Sequence, residues 1–194
     1  MRQCLLIVWL MLPLLGVAYH FGPGQERMIL DEVATLTADA ERLAASEQWA
    51  EAFQQYSRAL DRLPEGQQEL RWRIVLGRAK VQMMIRQLPA AHEQLESLVE
   101  ELRERKPPPD PDLVAEAEGA LAHAKFYLTW LMRLEGVPRD EWEPEIETAR
   151  ELLKRLAERA DGSERRRHVE DLEATVRLAR LDLEELQALP LPSQ

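Results

Sequence analysis

The chain carries a single cysteine, Cys4, so no disulfide can form within it. Cys4 precedes most of an apolar run, whereas a lipoprotein attachment cysteine would follow one. Glycine is scarce, at 8 of 194 residues, and no glycine-rich loop is present to cradle a phosphate. No serine stands in a G-x-S-x-G elbow, which leaves a hydrolase of that type without support. His20, His92, His123 and His168 are isolated: none forms the H-x3-H or H-E-x-x-H spacing that would bring two imidazoles to one helix face for zinc. They are expected as surface or half-buried side chains, with no metal and no cofactor implied. Positive charge is also in deficit: 25 Lys and Arg stand against 35 Asp and Glu, a net charge of −10. That balance argues against a general nucleic-acid binder and favours basic over acidic partners.

What the chain has instead is helix-forming composition. Ala, Leu, Glu and Arg dominate, and β-branched runs are few. Residues 1–24 form a separate leader element. Arg2 opens a short basic start, the run from Cys4 to Ala18 is almost wholly apolar, and Gly22, Pro23 and Gly24 break it. Two outcomes fit. As an uncleaved anchor, residues 4–21 would span roughly 27 Å as a helix, close to the ~30 Å hydrocarbon core. As a signal peptide, the run has a suitable length, and Gly16, Val17 and Ala18 offer a small-x-small cleavage site. Either outcome places residues 25–194 on the extracytoplasmic face of a membrane, or secreted or periplasmic after cleavage.

Helical periodicity continues nearly to the end. Ile29, Val33, Leu36, Ala40 and Leu43 mark a first helix, and the segment from Trp49 to Pro64 a second. A third places Leu70, Ile74, Gly77, Val81, Met84 and Leu88 on one face. Pro89 opens a fourth, with Ala91, Leu95, Leu98 and Leu102 inward. A Pro-rich link at 106–112 precedes a fifth helix lined by Val114, Ala117, Leu121, Ala124, Leu128 and Leu131. Gly136 marks its left-handed stop. A sixth begins near Pro144, and the acidic run at 140–145 fits a helix start better than a calcium loop, since it lacks the glycine turn and alternating Asp. The last helix carries a regular seam of Val169, Leu172, Val176, Ala179, Leu183 and Leu186. Pro190 ends it, leaving a tail at 190–194. Arg165, Arg166, Arg167 and His168 form a basic cluster at its start, suited to an anionic headgroup, an acidic partner or solvent. Trp72 and Trp130 lie off these seams and are the aromatic candidates for a contact surface between helices or with a partner.

The segment 49–64 holds Ala52, Tyr56, Ala59, Leu60 and Pro64, small, aromatic, small, aliphatic and helix-stopping in turn. It resembles the second helix of a tetratricopeptide repeat (TPR), with its A-x3-F pattern and closing Pro. Leu36, Ala40 and Leu43 supply the first helix of that pair. Leu76 and Gly77, followed by Ala91, Leu95 and Leu98, resemble a second repeat, although no aromatic occupies the place of Leu95. The resemblance implies an all-α, TPR-like α-solenoid of about seven helices in antiparallel pairs: helix pairs at 25–105, a further pair and a capping helix at 113–189. Such arrays mostly bind other proteins, so a non-enzymatic scaffold with a protein or peptide partner is the functional expectation. The first helix of each pair would line the groove, which offers Glu41, Arg73, Lys80, Met83 and Lys125 as partner-binding residues. Arg73 and Lys80, seven apart, share one helix face and could hold a peptide carboxylate. A self-associating protein using the 169–186 seam is the alternative, and a small-molecule-binding helical domain a more distant one.

Overall fold

The computed structural model describes residues 23–182, 185 and 186. Residues 1–22 of the leader and the tail at 190–194 lie outside the described residues, as do Leu183 and the question of an anchor helix. Among the described residues no helix is long and apolar enough to cross a membrane.

All regular structure among these residues is α-helical: α1 Pro23–Ala45, α2 Trp49–Arg62, α3 Gln68–Met84, α4 Leu88–Glu104, α5 Pro111–Leu134, α6 Arg139–Arg159 and α7 Gly162–Arg180. The chain forms two compact units that meet in sequence inside α3, one ending at Ile74 and the other starting at Val75. The Pro-rich link at 106–112 therefore lies within the second unit.

In the first unit α1 and α2 pack together as an antiparallel pair. Val33, Ala40, Ala52 and Ala59 are fully buried, and Tyr56 nearly so. Alanines at these places let the two helix backbones approach closely, and Tyr56 fills the space beside them. In the second unit α4, α5, α6 and α7 pack each on the next. Phe126, Trp142, Ile146, Leu178 and Leu186 form one buried cluster, with Tyr127, Trp130 and Met132 against it. Tyr127 meets Phe126 edge-on, ring centroids 5.6 Å apart.

Three of the connecting turns are built alike. After α1, Glu47 adopts the left-handed conformation (φ 59°) and the Gln48 N–H donates to Leu43 O at 2.9 Å. After α3, Arg86 does the same (φ 62°), and Gln87 N–H donates to Gln82 O at 3.1 Å. After α5 the left-handed residue is Gly136 (φ 75°), and Val137 N–H donates to Met132 O at 2.9 Å. Each is a Schellman closure, in which the residue after the left-handed one bonds back into the last turn to satisfy a helix-end carbonyl. Seven residues before each left-handed position stands a small, fully buried residue: Ala40, Ala79 or Thr129. The pairs α1–α2, α3–α4 and α5–α6 thus share turn geometry and helix phase.

Several expectations shift. α6 begins at Arg139, not near Pro144, and keeps Pro144 inside it. Trp142, buried at the start of α6, and the acidic first turn of Asp140 and Glu141 hold that end in place. On α3 the buried residues are Trp72, Ile74, Leu76, Ala79, Val81 and Gln82, more than one face, while Leu88 belongs to α4. Trp72 is buried and Trp130 is half-buried on the second unit's cluster, which fits a contact between helices rather than an exposed one with a partner. The seam at 169–186 is not one helix. α7 stops at Arg180, Thr175 and Leu178 are its buried residues, and Leu186 returns to the core beyond an extended cap at Leu181.

The turns give a reciprocal test. A non-glycine residue in the left-handed region costs about 1 kcal/mol. Arg86→Gly is expected to raise unfolding stability by about 1 kcal/mol. Gly136→Ala, where an added Cβ would meet nothing within 4 Å, is expected to lower it by a similar amount through backbone strain alone. Urea denaturation of the two variants beside the parent chain measures both signs.

Candidate functional site

The most distinctive chemistry lies where α4, α5 and α6 meet. Lys125 is 3% exposed, inside an otherwise apolar stretch of α5. Its Nζ donates to Glu145 Oε2 on α6 at 2.7 Å, to Glu96 Oε1 on α4 at 2.8 Å, and to His92 Nε2 on α4 at 3.1 Å. An ammonium has three N–H donors and no acceptor, so these three contacts satisfy it completely. The same geometry makes His92 Nε2 an acceptor and puts the ring proton on Nδ1. His92 and Glu96 reach the ammonium together because they are one helical turn apart.

Burial is the largest single influence on Lys125 and works against its charged form. Its hydrogen bonds to Glu145 and then Glu96, with the negative charges of both, together outweigh burial, and the pKa stands above that of an ordinary lysine. The hydrogen bond from Lys125 in turn holds the Glu96 carboxyl below its usual range, against a smaller opposing effect of burial. A lysine held charged and saturated in this way offers neither a nucleophilic amine nor a base. The arrangement is a pin through three helices.

Two turns earlier on α5 the charges are reversed. Glu118 is 4% exposed. Arg103 of α4 donates to its Oε1 through Nη2 at 2.6 Å and Nε at 3.2 Å, while Arg159 Nη1 of α6 lies 3.8 Å from Oε2. The antiparallel register explains the match: Arg103 is seven residues after Glu96, and Glu118 seven before Lys125. One buried cation thus ties three helices, while the buried acid ties α5 to α4 through Arg103, its Oε2 holding no hydrogen bond and Arg159 of α6 only within ion-pair reach.

At the far end of α5 the Arg133 guanidinium donates to the carbonyls of Leu178 and Leu181, satisfying helix-end acceptors of α7. It also lies over the Trp142 ring, 4.8 Å from the centroid. Burial, and secondarily Arg139, lower its pKa, without bringing a guanidinium near neutrality. His123 Nε2 lies 3.0 Å from Asp171 Oδ2, a further link between α5 and α7.

The residues expected to line a groove fall in different places. Glu41 is exposed on α1. Arg73 is exposed on α3 and pairs with Glu69 one turn back at 3.0 Å; both belong to the first unit. In the second unit Lys80 on α3 pairs with Glu116 on α5, both about half exposed, and Met83 is half-buried. Lys125, buried against α4 and α6, shares no partner with Lys80. His92 is buried at the pin, whereas His123 is exposed and His168 half-buried. The periodicity singled out neither Glu96 and Glu145 nor Glu118 with its two arginines. The available signal was the apolar run around 119–128, interrupted only by His123 and Lys125. A lone lysine in such a run needs buried carboxylates from neighbouring helices. Among the described residues no group of His, Cys, Asp or Glu is arranged to hold a metal ion. No protein-family model and no curated protein matches this chain.

Breaking a buried pair by removing one member costs about 3–5 kcal/mol where the remaining charge stays buried. Here Glu96 and Glu145 are 55% and 26% exposed and can regain water. Lys125→Met is therefore expected to cost less, about 2 kcal/mol, and Glu96→Gln under about 1 kcal/mol. The pH dependence follows from the shifts. Glu96 has a depressed folded pKa, so its contribution is full above the ordinary glutamate value of about 4.3 and is lost as pH falls through the lowered one. Lys125 has a raised folded pKa, so its contribution is full below the ordinary lysine value of about 10.4 and is lost as pH rises through the raised one. Stability measured by denaturation across pH should fall at both extremes, and Lys125→Met should flatten both limbs.

Proposed function

We propose that this chain is a non-enzymatic, membrane-tethered or exported helical scaffold of TPR-like build that holds a protein partner. The observation that carries the reading is the threefold turn: α1–α2, α3–α4 and α5–α6 each close through a left-handed residue at the same turn position and an equivalent backbone hydrogen bond. Repetition of one helix–turn–helix unit is the mark of arrays whose members bury their apolar faces against neighbours and use the remaining surface for binding. The Lys80–Glu116 pair supports it as well, because it links α3 to α5, the first helices of successive pairs. In repeat arrays those helices are neighbours and face the ligand.

The charged pins favour the same reading. A binding surface works best on helices whose relative positions are already fixed, since less ordering entropy is lost on association. Lys80 and Met83 are assigned as partner contacts of the second unit, and Glu41 and Arg73 as contacts of the first. Lys125 supports the scaffold from inside. The leader, by its apolar length, would keep residues 25–194 at or beyond the outer face of a membrane.

Crosslinking in membranes of the native host, followed by purification of the full chain, is expected to recover one defined protein partner. Lys80→Glu and Arg73→Glu, tested singly and shown by circular dichroism to stay folded, should each reduce its capture about fivefold or more. Capture equal to that of the parent chain in both variants overturns the assignment of these residues.

A further inference from the structure

One face of α7 carries charged side chains that no ion pair among the described residues uses. Thr175 and Leu178 point α7 into the second unit; Val169 stays exposed at 37%, while Leu172 and Val176 are half-buried, Val176 at the edge of a crevice shared with Ile146 of α6. Leu172, Val176 and Leu181, with Glu173, Arg177, Arg180 and Glu185 beside them, line an open and mainly apolar hollow of about 620 Å³. Among the described residues, the side chains of Glu173, Arg177 and Arg180 enter no ion pair. Four charged groups therefore flank a half-exposed apolar stripe, Glu173 toward one end, Arg177 and Arg180 further along, and Glu185 beyond Leu181.

Within that set, the Glu173-to-Arg180 spacing is self-complementary when two such helices run antiparallel. If a second α7 lies antiparallel across the stripe, with a two-fold axis passing close to Val176, then Glu173 of each copy faces Arg180 of the other. Leu172 then faces Leu181 across the same axis. Each contact occurs twice, as a two-fold interface requires. A parallel arrangement would instead set Glu173 against Glu173 and Arg180 against Arg180, like charges at both ends.

We propose that the chain self-associates through α7, as an antiparallel two-fold pair closed by reciprocal Glu173–Arg180 contacts over the Val169, Leu172 and Val176 stripe. The contact does not involve Leu186, which is fully buried in its own core. One helix pair buries less than the ~800 Å² per partner of a standard stable interface, so the dimer is a reversible one whose affinity depends on the flanking charges. This surface is separate from the one assigned to a protein partner, and neither inference depends on the other.

Sedimentation equilibrium of the full chain in mild detergent tests it by charge reversal. Glu173→Arg sets Arg against Arg, and Arg180→Glu sets Glu against Glu. Each variant alone is expected to dimerise about tenfold more weakly than the parent chain. An equimolar mixture of the two variants should recover parental affinity as a heterodimer. The arginine introduced in one copy then meets the glutamate introduced in the other, and the unaltered Glu173 and Arg180 meet at the opposite end. Recovery on mixing is specific to reciprocal antiparallel pairing, and a loss of folding in either variant could not produce it. A parent chain that stays monomeric, a dimer indifferent to both reversals, or two weakened variants that fail to complement each other would each overturn the proposal.

Discussion

A charged ammonium in a helical core has to be answered from every side, and that requirement organises the second unit. Lys125 is buried on α5, and its three donors are met by Glu96 and His92 from α4 and by Glu145 from α6. Hydrophobic packing would tolerate small slips of one helix along another. Three directed bonds from two helices to one nitrogen would not. The reversed arrangement at Glu118, two turns away on the same helix, adds a second fixed level. The two levels together restrain the offset of α4 along α5, and the Lys125 level adds α6. Apolar contacts supply most of the free energy in such a core, while the charges select one arrangement among those the apolar faces would allow.

The remaining polar ties extend this order to the end of α7. Arg133 holds the carbonyls of Leu178 and Leu181 and stacks over Trp142, which belongs to the same cluster as Leu178 and Leu186. A single side chain near the end of α5 therefore engages α6 through an aromatic ring and α7 through its helix-end carbonyls. The bonds to Leu178 and Leu181 take up carbonyls at the end of α7, and Leu186 is buried in the same cluster.

Much of this was legible from residue order, for reasons that can be named. The Ala52, Tyr56 and Ala59 pattern marked the α2 face that is in fact buried, because small residues at helical spacing have few uses other than close packing. Gly136 announced its left-handed turn because glycine enters that region without strain. Glu47 and Arg86 gave no such sign: their conformation is imposed by the hydrogen bonds around them. The start of α6 was misplaced because Pro144 reads as a first-turn residue, and only the burial of Trp142 shows that the helix begins earlier. Lys125 was assigned to a groove because position along a helix does not reveal that three acceptors, 29 to 33 residues before it and 20 after it, converge on one point.

The repeated turn bears on how such a chain can change over time. Its closure is written in main-chain N–H and C=O groups, which every residue but proline possesses, and its left-handed corner tolerates even an arginine at modest cost. Side-chain identity at the corner is thus nearly unconstrained by the hairpin it forms. Mutation can erase the letters by which kinship is recognised long before it disturbs the architecture, so ancestry in a molecule of this kind would be better preserved in backbone geometry than in spelling.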